Sequence, residues 1–158
     1  MFTHLTTHSS YSLQEGLATP AELAQAAKAQ GMSALGLTDH NLLTGAIEFV
    51  HACKKENVQP LVGLEIDLST GRLPLLATSQ EGWANLCRLS SAIALQDDPQ
   101  SPCSLELLAS FSNDLIALGS TGGKEAAKEF EILKDIFGNY LYLSLQDPSI
   151  GLPLSRFA

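Results

Sequence analysis

The sequence predicts an α/β fold, in which buried β-strands alternate with helices along a chain of 158 residues. Three observations lead to this prediction. Short apolar runs bounded by polar turns recur along the chain, and segments with apolar residues at helical spacing lie between them. The length suits a single domain, and 45% hydrophobic with 16% charged residues is typical of globular proteins. The alternation favours parallel strands joined by crossover helices, in an open sheet or in a barrel.

The first half of the chain contains three predicted strands and two predicted helices. The strands cover residues 2–8, 33–40 and 58–68, and the helices cover residues 19–31 and 44–57. Thr19 can cap the first helix because Glu22 follows three residues later, which is the spacing of a capping box. Gly31 is expected to end this helix.

The second half continues the alternation after an STGR turn. Strands are predicted at residues 73–79, 114–121 and 139–146, and helices at residues 81–95, 104–110 and 124–138. Trp83, Leu86 and Leu89 form an apolar stripe on the first of these helices. Residues 96–102 form a polar linker that contains proline, and we find no internal repeat.

Charge and cysteine usage limit the classes of function. A formal net charge of -8 and a pI of about 4.8 argue against a surface that grips nucleic acid by neutralising phosphates. Three widely spaced cysteines without a CxxC motif favour a reducing setting in which each is packed as a small hydrophobic residue. Because the sequence shows neither a transmembrane run nor a signal peptide, we expect a cytoplasmic protein without a membrane partner.

Residues of metal-ligand type stand at the ends of three predicted strands, where α/β folds collect their ligand sites. They are His4, His8, Asp39, His40, Glu65 and Asp67. Imidazole and carboxylate together favour Zn, Mn or Fe. Glu65 lies inside the apolar run PLVGLEIDL, where an unpaired carboxylate is costly, so it calls for a cation. Asp67 is expected to be solvated.

The residues by themselves leave an alternative open. A single histidine at a strand end is more often a capped or half-buried polar residue than a ligand. Asp39 could equally satisfy the backbone of the turn that follows it. The pattern therefore indicates a βα domain resembling metallohydrolases, or an ordinary fold with polar strand ends.

Five stretches of the sequence resemble one known family over nearly the whole chain. These are FTHLTTHSSYSLQEG, ALGLTDHNLLTGAIEFVHACKKENVQPLVGLEIDL, LLATSQEGWANLCRLSS, LIALGSTGG and EILKDIFGNYLYLSLQD. They closely resemble the PHP domain (polymerase and histidinol phosphatase) at the N-terminus of bacterial DNA polymerase III α subunits. The resemblance implies a distorted (β/α)7 barrel, of which residues 1–158 form an N-terminal portion, without a second domain and incomplete at the C-terminus.

The same resemblance implies a partly degenerate metal site. The H-x-H pair of the family falls on Thr6 and His8, with His4 just before it, so one of two imidazoles is replaced. The second motif falls on Asp39 and His40, and the bridging glutamate of the third falls on Glu65. Two later ligand positions fall on Thr121 and about Pro148, neither of which is a ligand of the expected type. The implied metal ligands are therefore His8, Asp39, His40 and Glu65, with His4 as a further candidate.

Three functions follow from the resemblance as expectations. The first is a mainly structural or interaction module of a replicative DNA polymerase, with the rest of the α subunit and a proofreading exonuclease as partners. DNA contact and the Mg of the polymerase site would then belong to the whole protein. An open sheet edge would also favour self-association.

The second expected function is a metal-dependent phosphoesterase or 3′–5′ exonuclease. Asp39, His40 and Glu65 would be its catalytic candidates, and Zn, Mn or Fe would activate water. A free-standing phosphatase of the histidinol-phosphate type is a third, less favoured, alternative.

Overall fold

The structure is a computed structural model that describes residues 2–98, 100–120 and 124–144. Its elements in chain order are α1 (Pro20–Ala29), β1 (Ala34–Leu37), α2 (Ala46–Glu56), β2 (Gln59–Leu68), β3 (Gly71–Ala77), α3 (Gln80–Ala94), α4 (Leu105–Ser110), β4 (Leu115–Gly119), α5 (Lys124–Phe137), a short 3-10 helix (Gly138–Tyr140) and β5 (Leu141–Leu143). Within this part of the chain, no helix is both long and apolar enough to cross a membrane.

The five strands form one mixed sheet in the order β1-β2-β3-β4-β5, which is not closed into a barrel among the described residues. The α/β prediction is confirmed, and the pairs β1–β2 and β4–β5 are parallel as expected. In contrast, β3 runs antiparallel to both of its neighbours. Only Ser69 and Thr70 connect β2 to β3, and two residues can close a hairpin but cannot make the crossover that a parallel pair needs.

The helices begin and end close to where the sequence predicts. At the start of α1 the Thr19 hydroxyl accepts from the backbone N–H of Glu22, whose carboxylate in turn accepts from the Thr19 N–H at 2.8 Å. This reciprocal pair is the predicted capping box. Ser79 and Ser104 cap α3 and α4 with their side chains alone, each accepting from an N–H of the first helical turn.

Two apolar clusters hold the helices to the sheet. The larger one packs side chains of β2, β3 and β4, among them Leu64 and Leu75, against α3, α4 and α5. The smaller one joins α1 and α2 to β1 through Phe49 and Cys53. Burial raises the pKa of the Cys53 thiol to about 11, and that of Cys103 likewise. Both thiols are therefore protonated and packed, as the absence of a paired cysteine motif suggests.

The predicted first strand, residues 2–8, is not a regular strand in the structure. The segment runs alongside β1. Its His4 carbonyl accepts from the Gly36 N–H at 2.7 Å, and its Thr7 carbonyl accepts from the Thr38 N–H at 2.9 Å. The two acceptors, at positions 4 and 7, are three residues apart, whereas the two donors, at positions 36 and 38, are only two apart. The N-terminal segment therefore contains one extra residue, which interrupts regular strand pairing and the alternation of side chains between the two faces. The regular alternation of faces that a strand over residues 2–8 would have is therefore not observed: His4 and Thr6 are exposed, and His8 is half-buried.

Gly36 allows this segment to lie against β1. A Cβ atom added at Gly36 would stand 2.0 Å from the carbonyl oxygen of Leu5, which is closer than any real contact. The backbone of the N-terminal segment therefore fills the space where a side chain would project.

We predict that Gly36→Ala lowers the free energy of unfolding by about 3 kcal/mol, because the N-terminal segment must shift away from β1. Urea unfolding would measure it, with Gly31→Ala as the matched control. Gly31 has a φ of +71° and open space around its Cβ position. Its substitution should cost only ~1 kcal/mol, for backbone conformation alone. Equal losses in the two variants would contradict the close approach inferred at Gly36.

Candidate metal centre

The candidate site lies where β1 ends and the second half of β2 begins, beside the first residues of β3. His40 forms an isolated parallel bridge with Glu65, so the residues that follow β1 continue alongside β2. The hairpin between β2 and β3 pairs Asp67 with Arg72 in register. The loop of residues 9–19 covers this end of the sheet. Side chains that are far apart in sequence are thereby brought to one place.

Asp39 folds this loop onto the end of β1. Its carboxylate is buried and accepts three hydrogen bonds of 2.7 Å, from the Ser9 N–H, the Ser9 hydroxyl and the Ser12 hydroxyl. The Ser12 oxygen also accepts from the His40 N–H at 3.1 Å. Both oxygens of Asp39 are thus engaged by protein donors, and this arrangement holds His8 and His40 on the two sides of the loop.

His8, Glu15 and Glu65 form the group that could hold a metal ion. One ligand atom from each lies within 4.8 Å of the others. The nearest pairs are His8 Nδ1 with Glu15 Oε2 at 3.2 Å and His8 Nε2 with Glu65 Oε2 at 3.1 Å. Two predicted site residues, His8 and Glu65, are therefore brought together. Glu15 was not predicted from the sequence, because no spacing links a loop residue to a strand end fifty positions later.

His40 lies on the other side of Glu15, next to Asp67. Its Nδ1 is 3.2 Å from Glu15 Oε1, and its Nε2 is 2.8 Å from Asp67 Oδ2. The Asn41 side-chain amide donates to the same Asp67 oxygen at 3.2 Å. Asp67, expected to be solvated, is in fact half-buried against a histidine, and the hairpin register explains its place in the site.

Arg72 reaches into the site from the start of β3 and was also not predicted. Its guanidinium donates twice to Glu15, at 2.6 and 2.7 Å, and once to Glu65 Oε2 at 3.1 Å. Its Nε is 3.6 Å from Asp67 Oδ1. The hydrogen bonds with Glu15 raise the pKa of the Arg72 guanidinium further and lower the pKa of the Glu15 carboxyl. Both groups therefore stay charged, and Arg72 neutralises part of the carboxylate cluster.

The donor set has the chemistry of a Zn, Mn or Fe site, but it does not fit an ion while Arg72 is in place. Glu15 Oε2 and Glu65 Oε2, the oxygens nearest His8, both contact Arg72 Nη1. The other predicted positions add no ligand to the described group: His4 and Thr6 are exposed on the N-terminal segment. Thr121 and Pro148 lie outside the described residues.

We predict that Asp39→Asn destabilises the chain by about 3 kcal/mol, because an amide nitrogen would face hydroxyl and N–H donors in a buried position. Urea unfolding monitored by circular dichroism would measure it. Asp97→Asn on the exposed turn after α3 is the matched control and should change stability by less than about 0.5 kcal/mol. If Asp39→Asn were as harmless as the control, Asp39 would not hold the loop.

Comparison with known proteins places this chain in a family. An error-prone DNA polymerase of Symbiobacterium thermophilum is 41% identical over 101 residues, which are 63% of this chain and 9% of that protein. The DNA polymerase III subunit alpha of Bacillus subtilis is 33% identical over 156 residues, or 94% of this chain and 14% of that protein. The chain thus spans less than a fifth of the length of these curated relatives.

Two solved structures share the fold at low sequence identity. An amidohydrolase from Chromobacterium violaceum, with bound sulfate and no metal, superposes with a TM-score of 0.61 at 18% identity, covering 86% of this chain and 74% of that one. A putative metal-dependent phosphoesterase from Bifidobacterium adolescentis gives 0.55 at 14% identity, with coverage of 88% and 74%. Residues 4–148 match the family described as PHP domain. The chain belongs to the PHP domain family.

Proposed function

We propose that this chain is a non-catalytic PHP module of a bacterial DNA polymerase III α subunit. One observation carries the proposal: the carboxylates of Glu15 and Glu65, which would hold a catalytic ion beside His8, are bound by the Arg72 guanidinium. The similarity to polymerase α subunits along 94% of the chain supports the identity of the parent. In this role the module contributes folded structure and surface, and it leaves the chemistry to other parts of the polymerase.

The proposed partners follow from this role. The first is the remainder of the α subunit, in which the polymerase site with its Mg ions would lie. A proofreading exonuclease subunit is a second proposed partner, and DNA would be bound by the whole assembly, in the cytoplasm. The net charge of -8 agrees with a module that does not itself grip DNA. Self-association through a sheet edge remains a proposal for the isolated chain.

The module role predicts that the chain can replace its counterpart in a polymerase. We expect a chimera of the Bacillus subtilis α subunit carrying this chain in place of the aligned segment to extend a primer, while the chain alone does not. Leu64→Asp in the chimera should abolish soluble, active protein, because it buries a charge at a fully buried position.

Leu17→Asp is the matched control, since Leu17 is 98% exposed, and it should leave primer extension unchanged. A chimera that is folded but does not extend a primer would contradict the module role. So would full activity of the Leu64→Asp chimera, because the polymerase would then not depend on the folded module.

A metal-dependent phosphoesterase is a second candidate, favoured by the convergence of His8, Glu15 and Glu65. It requires Arg72 to leave the two carboxylates, because the oxygens that would bind the ion are its hydrogen-bond acceptors. The Arg72 side chain is 40% exposed, so solvent can reach it. The proposed metals are Zn, Mn or Fe.

Hydrolysis assays separate the two candidates. We expect the purified chain with added Mn²⁺ or Zn²⁺ to hydrolyse bis(p-nitrophenyl) phosphate no faster than its His8→Ala variant, because Arg72 occupies the carboxylates. A metal-dependent rate that is lost in His8→Ala would instead establish the phosphoesterase. The variant is matched to the wild type in every other residue, so a contaminating nuclease would give equal rates in both.

A further inference from the structure

Arg72 binds the carboxylate cluster as one planar unit. Nη1 and Nη2 donate in parallel to the two oxygens of Glu15, at 2.7 and 2.6 Å, which is the bidentate geometry that guanidinium groups adopt with carboxylates. Nη1 also donates to Glu65 at 3.1 Å, and Nε faces Asp67. A single side chain of β3 thus connects the covering loop with two positions of β2.

Arg72 Nη1 contacts the two carboxylate oxygens that lie nearest to His8. Glu15 Oε2 is 2.7 Å from Nη1 and 3.2 Å from His8 Nδ1. Glu65 Oε2 is 3.1 Å from Nη1 and 3.1 Å from His8 Nε2. Both oxygens belong to carboxylates of the group that could hold an ion together with His8. A divalent cation and a guanidinium cannot share them, because two positive charges would stand a few ångströms apart at a partly buried site.

The negative charges of the cluster require a cation among them. Three carboxylates, those of Glu15, Glu65 and Asp67, lie around His8 and His40, and Glu65 is buried. Without a positive charge among them they would repel one another, and the desolvation of Glu65 would not be offset. Arg72 supplies that charge within the chain itself.

We propose that Arg72 is a built-in cation that takes the place of a metal ion in this PHP site, so that the guanidinium and a divalent metal compete for Glu15 and Glu65. The competition makes metal binding by the native chain weak, and removal of the guanidinium frees a site made of His8, Glu15 and Glu65. This proposal rests on the same Arg72 contacts as the proposed non-catalytic role. Its test reads Zn²⁺ binding and melting of the isolated chain, whereas primer extension by the chimera tests the module role, so the two failures can be told apart.

Zn²⁺ titration calorimetry on the chelator-treated 158-residue chain tests the competition. We expect Arg72→Gln to bind about one equivalent of Zn²⁺ at least ~10-fold more tightly than the native chain, since the guanidinium no longer holds the carboxylates. The double variant Arg72→Gln/His8→Ala should lose this gain. Arg88→Gln is the matched control, because Arg88 pairs with Glu81 on the exposed face of α3, and it should bind Zn²⁺ as the native chain does.

Thermal melting provides a second readout that needs no activity. Without metal, Arg72→Gln should melt below the native chain because the carboxylates are left unpaired. Saturating Zn²⁺ should raise its melting temperature more than that of the native chain, since a ligand that binds only the folded state stabilises it. If Arg72→Gln does not fold without metal, Arg72→Lys serves instead. Its gain in Zn²⁺ affinity should be smaller, because lysine keeps the positive charge and loses only the bidentate geometry of the guanidinium.

Three results would overturn the proposal. The first is equal Zn²⁺ affinity in Arg72→Gln, or in Arg72→Lys where that variant is used, and in the native chain. The second is a gain that persists after His8→Ala, which would place the ion elsewhere. The third is tight Zn²⁺ binding by the native chain, which would show that the guanidinium yields to the ion.

Discussion

The buried carboxylate of Asp39 is the interaction on which the site depends. It is 1% exposed, so water cannot satisfy its charge, and the protein must supply every hydrogen-bond donor. Ser9 and Ser12 supply three of them, which fixes the loop that follows the N-terminal segment against the end of β1. His8 precedes this loop and Glu15 lies within it, so both reach β2 only because Asp39 holds the loop. A residue that the family resemblance places among the ligands thus acts here as the anchor of the covering loop.

The second requirement is the antiparallel hairpin between β2 and β3. A wholly parallel sheet would send the chain after Leu68 to the opposite end of the sheet through a crossover. The two-residue connection instead returns it at once, and the register pairs Asp67 with Arg72 at the same end as Glu65. The cation that neutralises the cluster is therefore a consequence of topology: β3 begins where the ligand-bearing part of β2 finishes. The mixed sheet and the arginine in the metal site have one cause.

Features that depend on residues close together in the sequence could be predicted, whereas features that depend on residues far apart in the sequence could not. The capping box of α1 is predictable because Thr19 and Glu22 are three residues apart, and Glu65 is noticeable because a carboxylate interrupts an apolar run. Glu15 and Arg72 are 57 residues apart and give no local pattern, so neither is found from spacing. The irregular backbone of residues 2–8 is hidden for the same reason, since the extra residue is set by bonds to β1 rather than by the alternation of side chains.

The site departs from an intact metal site in two ways, through Thr6 in place of an imidazole and through Arg72 bound to the carboxylates, and the first makes the second more favourable. The resemblance places an imidazole ligand at the position of Thr6, a residue that is exposed and does not belong to the group of His8, Glu15 and Glu65. An ion here would have fewer neutral nitrogen ligands and would depend more heavily on the carboxylates of Glu15 and Glu65. Those carboxylates are better satisfied by a planar guanidinium, which binds two oxygens in parallel without a complete coordination shell. Once Arg72 provides that charge, the loop of residues 9–19 is held to β2 and β3 without any ion, and the fold at this end of the sheet no longer requires the ligands that the chain lacks.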